Sequence, residues 1–169
     1  DLVVSGPGPG DPRDDSPRMT AMRRVVSRRL FRHAPLLAVC LSHQILADQL
    51  GIDLAPLAQP HQGLQKSVDV FGESASIGFY NTFTARVAPG TTERGIVVES
   101  ITANGEATSA ALPLNKGRID IPAEVAADPE TGDVYALRGP GFASVQGHLE
   151  SILSRDGMRT LERLIAHAL

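Results

Sequence analysis

The feature that most constrains this chain is a short apolar run that ends on a cysteine. Pro35-Leu36-Leu37-Ala38-Val39 shows no polar alternation, the pattern of a strand buried on both faces of a parallel sheet. It runs straight into Cys40, and Ser42 to Leu50 then reads as a helix stopped by Gly51. Ala38-Val39-Cys40-Leu41-Ser42 thus has the form small-x-nucleophile-x-small. A reactive residue on a tight strand-to-helix turn adopts strained backbone angles, and its neighbours two positions away must be small for strand and helix to approach. The turn sets the sulfur at a helix N-terminus, which is expected to lower the thiol pKa below its usual value of about 8.5. The Leu41 N–H points into the same space, ready to donate to an oxyanion. A lone buried thiol with only a structural role has the same local appearance. A base and a second oxyanion donor have to decide between the two.

The surrounding pattern is that of an α/β protein. Leu2 to Ser5 is a short apolar strand that stops at Gly6-Pro7-Gly8-Pro9-Gly10-Asp11-Pro12. Pro17 to Arg32 carries Met19, Met22, Val26 and Leu30 at spacings of three and four, with Ser16 as N-cap. Strand, loop, helix, strand, turn, helix is the order of a doubly wound sheet. The middle changes character: Ser67 to Val70, Phe79 to Val87, Gly95 to Leu112 and Gly132 to Arg138 read as antiparallel strands. Met158, Leu161, Ile165 and Ala168 close the chain with a helix. The expected fold is a three-layer α/β domain over residues 1–169, a mostly parallel sheet flanked by helices with an antiparallel middle segment. The chain opens directly on a strand, so it reads as a piece of something longer.

Composition excludes several classes. Sixteen Lys and Arg against nineteen Asp and Glu give a net charge of −3, so no large basic surface awaits nucleic acid or an anionic membrane. The run Arg23, Arg24, Arg28 and Arg29 reads as a solvated helix face. One cysteine allows no internal disulfide and no cysteine-cluster metal site, and fits a reducing, cytoplasmic setting. No apolar run approaches the roughly 18–20 residues of a membrane span.

A base is available near the C-terminus. In an extended segment, side chains two apart share a face, so Val145-Gln146-Gly147-His148-Leu149-Glu150-Ser151 sets His148 beside Glu150. A carboxylate that orients an imidazole, which in turn serves a distant thiol, is the logic of triad hydrolases. His43 is close to Cys40 along the chain, but one helical turn after the bend points it away from the sulfur. It is treated as structural, like His33, His61 and His167. The Gly6 to Gly10 loop can supply the second oxyanion donor. A phosphate-binding role for that loop fails, since no Lys-Ser/Thr follows and the glycine spacing is wrong for a dinucleotide fingerprint.

Three segments together, Gly8-Pro9-Gly10-Asp11-Pro12, Val39-Cys40-Leu41-Ser42-His43-Gln44 and Val145-Gln146-x-His148-x-Glu150-Ser151, resemble the triad-type (class I) glutamine amidotransferases, whose glutaminase has a flavodoxin-like fold. The resemblance implies that Cys40 forms a γ-glutamyl thioester, that His148 acts as acid and base, and that Glu150 orients it. Gly8 and Leu41 match the oxyanion donors, and Gly10 and Gln44 match positions that contact glutamine. Tyr80-Asn81-Thr82-Phe83 resembles the segment that holds the glutamine α-amino and carboxylate groups through backbone, with Thr82 and Phe83 as contacts; an ordinary strand is the alternative there. Cys-Leu-Ser-His-Gln and Gly78 to Phe83 are most similar to the chorismate-using branch, namely the glutaminase part of 2-amino-2-desoxyisochorismate synthases of phenazine pathways, relatives of anthranilate synthase.

The resemblance further implies a lyase- or transferase-class synthase whose glutaminase half uses L-glutamine and passes ammonia to a chorismate-type synthase, fused or separate. This half would need no cofactor and no metal, any Mg²⁺ belonging to the synthase. Ser42 stands where the family usually has Gly, and Gly147 and Leu149 stand where an aromatic and a proline usually flank the histidine. Gly147 would add backbone freedom beside His148. The family domain also begins with a further strand and helix ahead of the equivalent of residue 1. Two rivals remain, a catalytically weak or inactive glutaminase-like module that docks to and regulates a synthase, and a cysteine hydrolase of γ-glutamyl compounds with no synthase.

Overall fold

The computed structural model describes residues 1–89, 97–98, 119 and 121–169. In chain order its elements are β1 (Val3–Ser5), α1 (Pro17–Phe31), β2 (Leu36–Val39), α2 (Leu41–Gln49), β3 (Asp53–Pro56), β4 (Leu64–Asp69), β5 (Ser74–Phe79), β6 (Phe83–Arg86), β7 (Val97–Val98), β8 (Ala123–Ala127), β9 (Val134–Gly139), β10 (Phe142–Val145) and α3 (Gly157–Ala168). The central sheet has six strands in the order β1-β2-β10-β9-β8-β7. β2 pairs in parallel with both β1 and β10, and the pairs from β10 outward to β7 are antiparallel. Four strands, β1, β2, β10 and β8, therefore run one way and two the other, a mostly parallel α/β sheet.

β2 lies inside the sheet and all four of its residues are buried, as an unbroken apolar run requires. Its side chains alternate between two cores. Leu36 and Ala38 join Met19, Val26 and Leu30 of α1 and Ile45 and Leu46 of α2 on one face. Leu37 and Val39 join Ile77 and Phe79 of the β4–β5 hairpin and Leu164 and Ala168 of α3 on the other. These are the three layers. α1 begins where its N-cap predicts, since Ser16 Oγ accepts from the Met19 N–H at 3.4 Å.

The structure corrects some expectations. Phe79 to Val87 is not one strand: β5 ends at Phe79, β6 begins at Phe83, and they belong to separate two-stranded sheets with β4 and β3. The arginine run is not simply a solvated face. Arg23 is 7% exposed, and its Nη2 donates to the carbonyls of Pro12 and Asp14 at 2.7 and 2.6 Å, bracing the end of the Gly/Pro loop. Arg29 Nη2 likewise donates to the Pro35 carbonyl at 2.6 Å. β3, β8 and β10 have no counterpart among the expected elements. Of Gly95 to Leu112, only Val97 and Val98 lie within the described residues. No helix among the described residues is long and apolar enough to cross a membrane.

Candidate active site

The register of the parallel strands brings the distant motifs together. Ser5 pairs with Ala38 and Val39 with Val145, so the chain leaves β1, β2 and β10 at one end of the sheet. Carboxyl ends of neighbouring parallel strands are where α/β folds place their sites. From β1 comes the glycine loop, from β2 Cys40, and from β10 the segment Gln146 to Glu150.

Cys40 occupies the bend with φ 53° and ψ −106°, a left-handed φ that costs a non-glycine residue about 1–3 kcal/mol. Backbone bonds hold it there, from Cys40 N–H to the Val145 carbonyl at 2.9 Å and from Gln44 N–H to the Cys40 carbonyl at 3.1 Å. Ser42 secures the bend as well: its hydroxyl donates to the Gly6 carbonyl at 2.9 Å and lies 2.7 Å from Ser5 Oγ, tying α2 to the end of β1. The expectation of a lowered thiol pKa is corrected. Cys40 is 6% exposed, and burial pushes its thiol up to about 11, with the Glu150 charge adding to the rise and the Leu41 N–H opposing it. Burial outweighs the Leu41 N–H at the start of α2. The side-chain partner of Cys40 is Gln146, whose Nε2 lies 3.8 Å from Sγ.

His148 Nδ1 is 2.8 Å from Glu150 Oε1, as the two-residue spacing predicts. The His148 side chain is 18% exposed and that of Glu150 63%. The His148 N–H donates to the Gly78 carbonyl at 2.9 Å, and Tyr80 meets the imidazole edge to face with ring centres 5.2 Å apart. Ser154 Oγ accepts from the Gly78 N–H at 2.9 Å and donates to the His148 carbonyl. The freedom expected at Gly147 is therefore absent. A Cβ there would lie 2.2 Å from Ile77 Cγ2, so glycine is what lets this segment cross β5 closely. Leu149 is 5% exposed and anchored in the α3-side core. Among the described residues no hydrogen bond joins His148 to Cys40.

The other expected residues lie around this end. Gly8 faces Leu41, since a Cβ at Gly8 would stand 3.5 Å from Leu41 Cδ2 and 2.1 Å from Arg18 Nη2. Gly10 has φ +127°, a conformation that favours glycine. Gln44 is buried, and its Nε2 donates to the Phe83 carbonyl at 2.7 Å and to Gln146 Oε1 at 2.9 Å. Both amide hydrogens are thereby spent, and only Oε1 remains for a ligand. Tyr80 to Thr82 is the break between β5 and β6, not an ordinary strand. The Phe83 carbonyl takes a second bond from Asn81 Nδ2, and the Thr82 carbonyl accepts from the Leu57 N–H. Arg13 lies over the Phe83 ring at 4.6 Å.

His43 sits apart from this group. It is fully buried, its Nδ1 lies 2.8 Å from Ser144 Oγ, and burial lowers its pKa to about 4. Its Nε2 has no hydrogen-bond partner among the described residues, and the Val134 backbone beside the ring only partly offsets the effect of burial. Gln146 is the contact that sequence reasoning passed over. The alternation that pairs His148 with Glu150 also puts Gln146 on their face, so the signal was present.

A family model for glutamine amidotransferase class-I matches residues 1–168. The chain is 41% identical over 174 aligned positions to an anthranilate synthase described as phenazine specific from Pseudomonas fluorescens, a match over 100% of this chain and 23% of that protein. It thus spans about a quarter of that relative's length. It is 27% identical to aminodeoxychorismate synthase component 2 of Klebsiella aerogenes, over 96% of this chain and 74% of the other. A glutamine amidotransferase of Thermotoga maritima has the same fold, with a TM-score of 0.54 at 14% identity over 96% of this chain and 60% of that one.

Proposed function

The chain belongs to the class-I glutamine amidotransferases, and from that premise we propose that it hydrolyses L-glutamine to L-glutamate and ammonia through a thioester on Cys40. In the first half-reaction Sγ attacks the side-chain amide carbon while His148 takes the thiol proton. The oxyanion meets the N–H groups of Leu41 and Gly8, and the tetrahedral adduct collapses as His148 gives its proton to the departing nitrogen, releasing ammonia. In the second, His148 takes a proton from water, the resulting hydroxide attacks the thioester, and the proton returns to sulfur as glutamate leaves. Glu150 holds the imidazole and supports its positive charge. Gly10, Gln44, Thr82 and Phe83 line the glutamine site.

The observation that carries this proposal is the meeting at one sheet end of a strained Cys40, φ 53°, with the His148–Glu150 pair at 2.8 Å. A thiol held near pKa 11 carries little thiolate at neutral pH, so it depends on a base at the moment of attack. The ammonia would aminate a chorismate-type acceptor on a synthase, fused or separate, in the manner suggested by the names of the relatives. Cys40→Ala tests this directly: glutamine-dependent amination disappears while amination from added ammonium salt persists. Loss of both activities, or of neither, contradicts the proposal.

A second reading is favoured by one observation, that the buried sulfur rests on Gln146 without a bond to His148. On that reading the module is a weak or inactive glutaminase that docks to a synthase and regulates it. Glutaminase assays with and without a chorismate-type synthase separate the two. Hydrolysis that appears on addition of the synthase supports the enzyme, and none under either condition supports the regulator.

A further inference from the structure

The amide that touches the sulfur has no freedom to turn away. The Phe83 carbonyl can only accept, so the Gln44 atom 2.7 Å from it is the NH₂ group. The same nitrogen lies 2.9 Å from Gln146, so the Gln146 atom facing it is Oε1. Gln146 Nε2 is thereby directed at Cys40 Sγ, 3.8 Å away, within the range of hydrogen bonds to sulfur. Neither amide can flip without setting two oxygens or two NH₂ groups against each other. Both side chains are buried, at 4% and 1% exposure, so water offers no alternative partner at little cost. The Gln146 backbone is fixed as well, its N–H donating to the Tyr135 carbonyl at 2.8 Å. Register then adds the last constraint: Val39 pairs with Val145, so Cys40 and Gln146 leave neighbouring parallel strands side by side.

We infer that Gln146 is a positioning residue for the nucleophile, donating to Cys40 Sγ to hold the resting sulfur and to stabilise the thiolate as its proton leaves, with Gln44 fixing the sense of its amide. This deepens the reading of Cys40 as the nucleophile and rests on it. The hydrogen-bonded path Phe83–Gln44–Gln146–Cys40 also joins the segment proposed to hold glutamine to the atom that attacks it.

Alkylation of Cys40 by iodoacetamide at a fixed pH of about 8.5 tests the inference, and the chain's single cysteine makes the signal site-specific. Below the thiol's pKa the rate is proportional to the thiolate fraction, and circular dichroism confines the comparison to folded protein. The readout needs no glutamine turnover, so a missing glutaminase activity and a wrong assignment of Gln146 are read separately. Gln146→Met, nearly the same size but without a donor, is expected to slow alkylation by roughly tenfold. Gln146→Glu, which keeps an acceptor for Gln44 but turns a carboxylate oxygen toward the sulfur, slows it further. Gln44→Met leaves Gln146 in place without its orienting partner and falls between wild type and Gln146→Met. A purely structural role predicts the opposite, because loosening the site exposes the thiol and speeds alkylation. Rates equal to or above wild type in the Gln146 variants overturn the inference. Should circular dichroism show that neither folds, Gln44→Met decides alone: slower alkylation upholds it and an unchanged or faster one overturns it.

Discussion

His43 and His148 are held in the same way, yet only His148 is proposed to take part in the chemistry. Each ring is tied through Nδ1 at 2.8 Å to an oxygen on β10 or the segment leaving it, Ser144 Oγ for His43 and Glu150 Oε1 for His148. The difference lies in the partner's charge and in the water around it. His43 is sealed between α2 and the sheet against a neutral hydroxyl, and its pKa of about 4 keeps it uncharged. His148 is 18% exposed at the sheet end and faces a carboxylate that can support an imidazolium. A hydrogen-bond distance alone therefore does not single out the proposed base; burial and the charge of the partner separate the two rings.

Deleting each ring in turn gives the largest contrast. His148→Ala is expected to lower glutaminase kcat/KM by about a thousandfold while moving stability by less than about 1 kcal/mol. His43→Gln is expected to do the reverse, with a measurable loss of stability and a change in rate below about threefold. Steady-state kinetics and urea denaturation of the two variants check this, and equal rate losses would erase the distinction.

Acid stability gives the next largest effect. The folded-state pKa of His43 lies below its ordinary 6.5, so the unfolded chain binds a proton that the native state refuses. Stability present above about pH 6.5 is thus lost as pH falls toward 4, by about 3 kcal/mol at the lower end. Denaturation midpoints of wild type and His43→Gln at pH 7 and pH 4.5 isolate this contribution, because other titrating groups are common to both. The gap between the proteins should narrow or reverse in acid.

Removing each ring's partner separates the two histidines further. Glu150→Gln should cost roughly ten- to a hundredfold in kcat/KM, less than loss of a fully buried orienting carboxylate, because Glu150 is 63% exposed. Ser144→Ala should leave kcat/KM within about twofold and lower stability by about 1–2 kcal/mol, since it strands His43 Nδ1 in the core. Kinetics on the first and a thermal melt on the second distinguish orientation of a working ring from packing of a silent one.

Much of this was legible in the sequence because strong local patterns agree with the tertiary structure. The apolar run of β2, the small residues around Cys40, the Ser16 cap and the alternation of His148 with Glu150 each report a constraint that acts within a few residues. The illegible parts depend on distant contacts. β8, Ala123–Ala127, has one β-branched residue and is a strand because β9 pairs with it. Arg23 reads as a surface residue until the Pro12 and Asp14 carbonyls fold over it. The thiol pKa depends on how deeply the bend is covered, which no local motif contains. The contact from Gln146 to the sulfur appears only once the register of β2 and β10 is known.

The proposed mechanism stands on a covalent intermediate at one atom, and acid-quenched mass spectrometry reads it directly. Glutamine is added to the chain together with a chorismate-type synthase, the reaction is stopped during turnover, and the Cys40 peptide is analysed. The predicted result is that peptide carrying one glutamyl group, lost in Cys40→Ala and strongly diminished in His148→Ala. Continued glutamine hydrolysis with the Cys40 peptide unmodified, or with the label on another residue, contradicts the mechanism.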